Sequence, residues 1–229
     1  MPKVVVRAFG CSLDGIGAGL QQRQSEPFGK NAIQIMNWFF PTQTFKSMRG
    51  VEGGTKGLDD SYAAKAFDGV GASIMGRNMF SPLRGPWENE DWKGWWGDNP
   101  PFNHPVFVLT HYPRPNLEFE NGTSFHFVDG SPERVLEQAQ SAAGDKDVKV
   151  NGGTATVRAF WKAGLLDELH LVKSPVFVGE GERLLGGLGV EEDYQVAGFE
   201  ASEAAVHYRI LKKRLKFSGS TESMDLEAR

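Results

Sequence analysis

The sequence predicts an α/β fold in which a central, mostly parallel sheet carries helices on both faces and ends in an antiparallel strand pair. Three observations predict it. Strand-like and helix-like segments alternate through the middle of the 229-residue chain. The first strand candidate, residues 3–9, is near-continuously apolar, as a strand buried on both faces should be. The last two strand candidates, residues 194–200 and 204–212, are separated only by a short polar connection and read as a hairpin.

Composition bounds the rest. With 40% hydrophobic and 24% charged residues the chain resembles an ordinary globular protein, and no repeat or low-complexity linker divides it. We read residues 1–216 as one domain with an insertion at 82–101, followed by a loose tail at 217–229. A net charge of −4 argues against general attraction to nucleic acid or an anionic membrane, which leaves a small molecule as the expected partner. One cysteine, Cys11, excludes an intramolecular disulfide framework and supplies no thiol cluster for zinc, so no metal is expected and a reducing, cytoplasmic setting is favoured. Arg7 interrupts the N-terminal apolar run, and no stretch approaches the ~18 apolar residues of a membrane span.

Taken in order, the first strand leads into a loop with alternating glycines, Gly15, Gly17 and Gly19, which suits a segment that closes over a ligand. Residues 31–40 read as a helix offering Ile33, Met36, Trp38 and Phe40 for burial and stopped by Pro41. Asp59 or Ser61 can start a second helix through Phe67. A short strand, 72–75, then delivers Gly76, Arg77 and Asn78 to a helix start, a pattern that fits either an anion site or a plain glycine turn.

Residues 82–101 hold four of the six tryptophans (Trp87, Trp92, Trp95, Trp96) among glycine, proline and acids. Such a long loop is more often pinned down by its own aromatics, or used as an interface, than used to stack a ligand. Strands at 106–109 and 123–128 follow, the first ending in Thr110, His111 and, beyond Pro113, Arg114. Ser131, Pro132 and Glu133 give a helix start with a cap, a proline at the first position and an acid in the first turn.

The stretch 148–169 carries the strongest local signal. An apolar strand ends in Asn151, Gly152 and Gly153, and an apolar-periodic helix follows. Two residues without a Cβ let backbone approach a ligand closely, and the helix start offers unpaired N–H groups to an anion. Thr154 and Thr156 can touch such a ligand or cap the helix. A strand from Glu168 to Val178, broken at Pro175, completes the set before the hairpin. Ligands of open α/β sheets bind outside the carboxyl ends of strands, so the strand ends at Gly76, Thr110 and Gly152 together suit an elongated phosphorylated ligand.

These segments, in this order and spacing, resemble one family. Ser12-Leu13-Asp14-Gly15, Met75-Gly76-Arg77-Asn78-Met79-Phe80, Val108-Leu109-Thr110-His111, Gly152-Gly153, Gly164-Leu165-Leu166-Asp167-Glu168-Leu169 and Pro175-Val176-Phe177-Val178-Gly179-Glu180-Gly181 look like the dihydrofolate reductase-like family. The match is to the branch containing the C-terminal reductase domain of the riboflavin-biosynthesis deaminase-reductase, and it runs from about Val4 to Lys212. The resemblance implies an NADPH-binding reductase, often homodimeric. It places Gly76, Arg77 and Asn78 on the phosphate side of the cofactor, and Thr110, His111 and Arg114 at the adenosine 2′-phosphate. It puts the Gly152–Gly153 pair, usually cis, beside the pyrophosphate, with Thr154, Ala155, Thr156 and Val157 on the next helix start. Ala8 and the loop holding Gly15 and Gly19 become walls of the nicotinamide pocket.

The pattern also departs from the family. The 31–40 segment carries Asn31, Gln34 and Asn37 but no acid where dihydrofolate reductases place a pterin-binding carboxylate, which speaks against dihydrofolate itself. A nucleobase deaminase's zinc cluster cannot be built with one cysteine. Asp14 and Asp60 are the proton-donor candidates, Trp38 is a candidate substrate wall, and Lys46, Arg49 and Lys56 would suit a phosphorylated substrate or merely a solvated surface. The function this predicts is NADPH-dependent hydride transfer to a small heterocyclic or carbonyl substrate. The alternative is a non-catalytic NADP(H)-binding or structural dimeric protein on the same fold.

Overall fold

The computed structural model describes residues 2–89 and 91–213, so the expected tail at 217–229 lies outside the described residues. The elements in chain order are β1 (Val4–Cys11), β2 (Ile16–Gly19), α1 (Gln43–Met48), α2 (Leu58–Lys65), β3 (Val70–Gly76) and α3 (Arg77–Phe80). After the insertion come β4 (Pro105–Leu109), β5 (Leu117–Glu118), β6 (Ser124–Val128), α4 (Pro132–Ala143), β7 (Asp147–Gly152) and α5 (Thr154–Lys162). The last elements among the described residues are β8 (Glu168–Lys173), β9 (Gly181–Arg183), β10 (Tyr194–Ala201) and β11 (Val206–Lys212).

Nine strands form one sheet in the order β10-β11-β8-β1-β7-β3-β4-β6-β5. The six strands from β8 to β6 run parallel, the β10–β11 hairpin joins β8 antiparallel, and the two-residue β5 pairs antiparallel with β6. This is the expected architecture with both edges antiparallel. The central strands are apolar on both faces because both are covered. On one face Val4, Val6, Ile74, Val148 and Val150 pack against Val135, Leu136 and Ala139 of α4 and Val157, Phe160 and Trp161 of α5. On the other, Met75, Val106, Val108, Phe125 and Phe127 pack with Phe80 and with Trp87, Trp92 and Trp96 of the insertion. The insertion is therefore pinned by its own tryptophans to the sheet.

Several expected boundaries shift for local reasons. The segment 31–40 forms one 3-10 turn, Ile33–Met36, and not a helix of ten residues. Asn31 takes a left-handed φ of 59° and Ala32 offers no capping side chain, so the helix has no start; Ile35 and Trp38 are buried while Ile33 stays 47% exposed. Helix α2 starts at Leu58, just ahead of Asp59, from an uncapped Gly57. Strand β8 stops at Lys173, because Ser174 turns its hydroxyl onto the Ile35 carbonyl (2.6 Å) and Pro175 has no N–H to continue the ladder. The alternating-glycine loop is not free: β2 within it pairs antiparallel with β9.

Helix α4 begins as its sequence foretold, with Ser131 accepting a hydrogen bond from Arg134 N and Pro132 in the first turn. Helix α5 is different. Its N-cap is Gly153 with no side-chain cap, so neither Thr154 nor Thr156 serves as one.

Candidate active site

Strands β7, β3 and β4 are neighbours, and their register sets Met75 opposite Gly152 and Gly76 opposite Leu109. The strand ends at Gly152, Gly76 and Thr110, far apart in sequence, are thus brought side by side. The Gly152–Gly153 peptide is cis. Glycine is required at Gly76 by close packing, since a Cβ there would collide with Thr156 Oγ1. At Gly153 the requirement differs: a Cβ would meet nothing within 4 Å and would project into open space, so backbone is presented there unobstructed.

That space belongs to a cavity of about 470 Å³. Of the expected site residues, Ala8, Asn78, Gly152, Gly153 and Thr154 line it. Thr154 Oγ1 is buried and has no hydrogen-bond partner among the described residues, so it holds unspent capacity at the glycine turn. Ala8 sits at an irregularity in the β1–β8 ladder between Val6 and Phe9, with a left-handed φ of 58°. Its N–H donates to His170 Nδ1 (3.1 Å), which fixes the His170 proton on Nε2, facing His207 Nδ1 at 3.0 Å. The His207 proton then lies on Nε2 and is donated to Asp59 Oδ1 at 2.7 Å. Tyr62 stacks on both imidazoles, with centroids 4.4 Å away. This buried relay locks the Ala8 backbone at the cavity wall, and burial, followed by His207, pushes the His170 pKa down to about 3.

The cation pair lies beyond the cavity. Arg77 stacks 3.2 Å from the Trp87 ring, and Arg114 lies 4.1 Å from the same ring. Arg77 Nε and Nη1 are buried without hydrogen-bond partners among the described residues, and burial, with Arg114 second, lowers its pKa to about 10. It stays charged. Thr110 is buried and its Oγ1 accepts from Tyr112 N, whereas His111 is 91% exposed and pairs with Asp129 at 3.0 Å. The neighbouring Asp129 carboxylate competes with any phosphate for His111.

Other expected residues are placed elsewhere. Asp14 lines no part of the cavity; a Ser12 hydrogen bond above all, with the Val178 and Gly179 amides, holds its pKa near 2. So firmly ionised a carboxylate does not donate protons near neutrality. Asp60 accepts from Thr44 N and Oγ1 (2.7 and 2.8 Å) and ties α1 to α2, also off the cavity. Trp38 is a core residue, 1% exposed, packed with Ala63 and Val172 and edge-on to His207. Val157, on α5, is fully buried in the core, Thr156 packs on Gly76, and Ala155 is exposed on the first turn. Gly15 and Gly19 shape the β2–β9 arm, while Gly17 and Ala18 reach the cavity. Of the basic set, Arg49 alone among Lys46, Arg49 and Lys56 is on the wall.

The cavity also holds residues that sequence reasoning missed. Lys149 and Asn151, alternate residues of β7, both line it, and Asn151 Nδ2 is buried without a partner among the described residues. The signal was present: Val148-Lys149-Val150-Asn151 sets a lysine in the middle of a central strand, where a solvated face is impossible.

Comparison with known proteins fits this geometry. The model of the RibD C-terminal domain matches residues 2–208. The chain belongs to the RibD C-terminal domain family. Among solved structures, a Shewanella sp. PV-4 protein assigned to riboflavin biosynthesis is 21% identical with a TM-score of 0.61, covering 93% of this chain and 100% of that one. A diaminohydroxyphosphoribosylaminopyrimidine deaminase/5-amino-6-(5-phosphoribosylamino)uracil reductase from Thermotoga maritima is 16% identical with a TM-score of 0.53. The match covers 93% of this chain but 57% of that protein. Dihydrofolate reductase from Enterococcus faecalis, solved with NADP(H), is 12% identical over 92% of this chain and 95% of that one, with a TM-score of 0.51. These likenesses establish a dihydrofolate reductase-like fold for this RibD C-terminal domain. No curated protein matches the sequence. Among the described residues no helix is long and apolar enough to cross a membrane, and no cluster of His, Cys, Asp and Glu suits a metal ion.

Proposed function

We propose that this RibD C-terminal domain is an NADPH-dependent reductase of a small heterocyclic or carbonyl substrate, of the type that acts in riboflavin biosynthesis. The observation that carries the reading is the unobstructed Gly153 backbone in the cavity wall, beside the ends of β3 and β4 and the Arg77–Arg114 pair. Family membership supports an oxidoreductase. The residues present fit a nicotinamide dinucleotide. Ala8, Gly152, Gly153 and Thr154 would hold its nicotinamide and pyrophosphate end, and Arg77 and Arg114 its 2′-phosphate. When bound, the dihydronicotinamide supplies a hydride. The chain's own contribution is to position the acceptor against that ring and to exclude water with aromatic walls.

Titration with NADPH and with NADH, followed by tryptophan fluorescence, tests this. Gly153→Val should abolish binding of both, because its side chain fills the open approach. Arg114→Ala should narrow the gap between the two cofactors by about tenfold, the loss of one charge-assisted contact of ~1.4 kcal/mol. A second reading, a non-catalytic member of the fold, is favoured by Trp87 already stacking on Arg77. It predicts no NADPH-dependent thermal shift, or binding without oxidation by any carbonyl tested.

A further inference from the structure

Lys149 is a cation in a place that needs a reason. It is 6% exposed in the middle of the central sheet, paired in register with Val5 of β1 and Ser73 of β3. Among the described residues no carboxylate ion-pairs with it, and its ammonium lies over the Phe67 ring at 4.4 Å. Burying a charge without an acid costs several kcal/mol, and a leucine or methionine would fill the same space without that cost. The fold therefore does not ask for lysine here. The cavity does: Lys149 forms part of its wall beside Asn151, Ala8 and Gly152.

The surrounding charges leave Lys149 as the group able to exchange a proton. On β1, Arg7 is committed to Asp147 (2.6 Å) and to the Asp68 carbonyl. Beyond β3, His104 bonds Ser73 Oγ, and burial together with Lys149 and Lys146 lowers its pKa to about 4. On β8, His170 is held neutral in the relay described above. Glu182, from β9, also lines the cavity but pairs with Arg84. Burial first, and Arg7 second, bring the Lys149 pKa down to about 7, where the ammonium is a competent acid at neutral pH. Apart from Gln22, Arg49, Asn78 and Thr154, the remaining wall is mostly apolar and rich in aromatic rings, among them Phe39, Phe45, Phe67, Trp95 and Phe102.

We infer that Lys149 is the proton donor of the reduction carried out in this cavity, and that its substrate is a flat, conjugated ketone, aldehyde or imine. The inference rests on the reductase reading above. As hydride from the dihydronicotinamide forms a C–H bond at the electrophilic carbon, the C=O or C=N π pair moves onto the heteroatom. One Nζ–H bond of Lys149 breaks as the O–H or N–H bond forms. The substrate gains two electrons, the nicotinamide loses them, and the neutral amine takes its proton back from water. Asn151 Nδ2, two residues along the same strand face, is placed to hold the same acceptor.

The test uses NADPH and 4-nitroacetophenone with the wild type, Lys149→Met and Lys149→Arg, together with NMR of protein labelled with [ε-13C]lysine. In the wild type the turnover rate should fall tenfold per pH unit above about 7, and one lysine resonance should titrate there and move when the ketone is added. Lys149→Met should lose that resonance and about 100-fold in rate, with no break near neutrality. It should bind NADPH within twofold of wild type and unfold at no lower temperature at pH 6, because it removes a buried unpaired charge. Lys149→Arg should not rescue the rate, since a guanidinium does not release its proton. Rescue by arginine would mean that Lys149 only holds an anion and would overturn the inference. So would an unchanged rate in Lys149→Met, or a lysine that titrates at its ordinary pH. A wild-type protein that binds NADPH yet neither binds nor reduces the ketone would overturn the substrate class. One that binds no NADPH would overturn the proposed function instead.

Discussion

Single residues here are decided by what their polar atoms already touch. Asp14 has the right charge and the right place in the sequence for chemistry, yet its carboxylate is spent on Ser12 and on the amides of Val178 and Gly179. It fastens the first loop to the segment after β8. Asp14→Ala should therefore lower stability by about 1 kcal/mol, read as a lower urea midpoint at unchanged slope, by stranding two amide donors at a partly exposed site. Lys149 is the reverse case, a buried cation with no carboxylate partner among the described residues. Asp59 and Asp60 show how narrow the difference is: adjacent carboxylates on α2, one ending the imidazole relay and the other holding Thr44.

At the scale of elements, the insertion at 82–101 has no helix or strand among its described residues and is held to the sheet by its aromatic side chains. Trp87 meets Phe80 and Phe127 edge-on, donates from Nε1 to the Tyr112 carbonyl, and lies against the guanidinium groups of Arg77 and Arg114. Trp87→Ala should cost about 2–4 kcal/mol, from lost packing and cation–π contact together. Thermal unfolding of the variant checks this. Helix α4 is the contrasting element. Its start depends on the Ser131 cap, and its buried stripe Val135, Leu136, Ala139 and Ala143 is written directly in the sequence.

For the molecule as a whole, the buried imidazoles set an acid limit. His104 and His170 have folded pKa values of about 4 and about 3, below the 6.5 of a free imidazole. Between those values the unfolded chain binds protons that the native protein does not, so stability is full above pH 6.5 and is lost as pH falls toward 4. Each group contributes at most roughly 1.4 kcal/mol per pH unit across its window. The same reasoning applied to Lys149, lowered from 10.5 to about 7, gives a further rise in stability over that interval. A series of thermal unfolding curves from pH 4 to 10 should show both slopes. A flat profile below pH 6 would contradict the buried neutral histidines.

What the sequence determined by itself was local and periodic. Runs such as Val4 to Val6 announce buried strands, Ser131-Pro132-Glu133 announces a helix start, and Gly152-Gly153 announces a close backbone approach, because each property follows from a residue and its immediate neighbours. From these the mostly parallel sheet, its hairpin edge and the glycine turn of the candidate site were legible. The failures share a cause. Residues 31–40 have helical spacing of apolar groups, but burying Ile35 and Trp38 against distant elements suited a tight turn better than a helix. Asp14 and Asp60 looked available because their partners at Val178, Gly179 and Thr44 are set by the chain's path, and not by its spacing. Only the tertiary structure decided which side chains face the cavity: Lys149 and Asn151 do so because β7 lies between β1 and β3, an adjacency made by contacts between segments about 75 to 145 residues apart, and a chain's long-range contacts are not written in its local spacing.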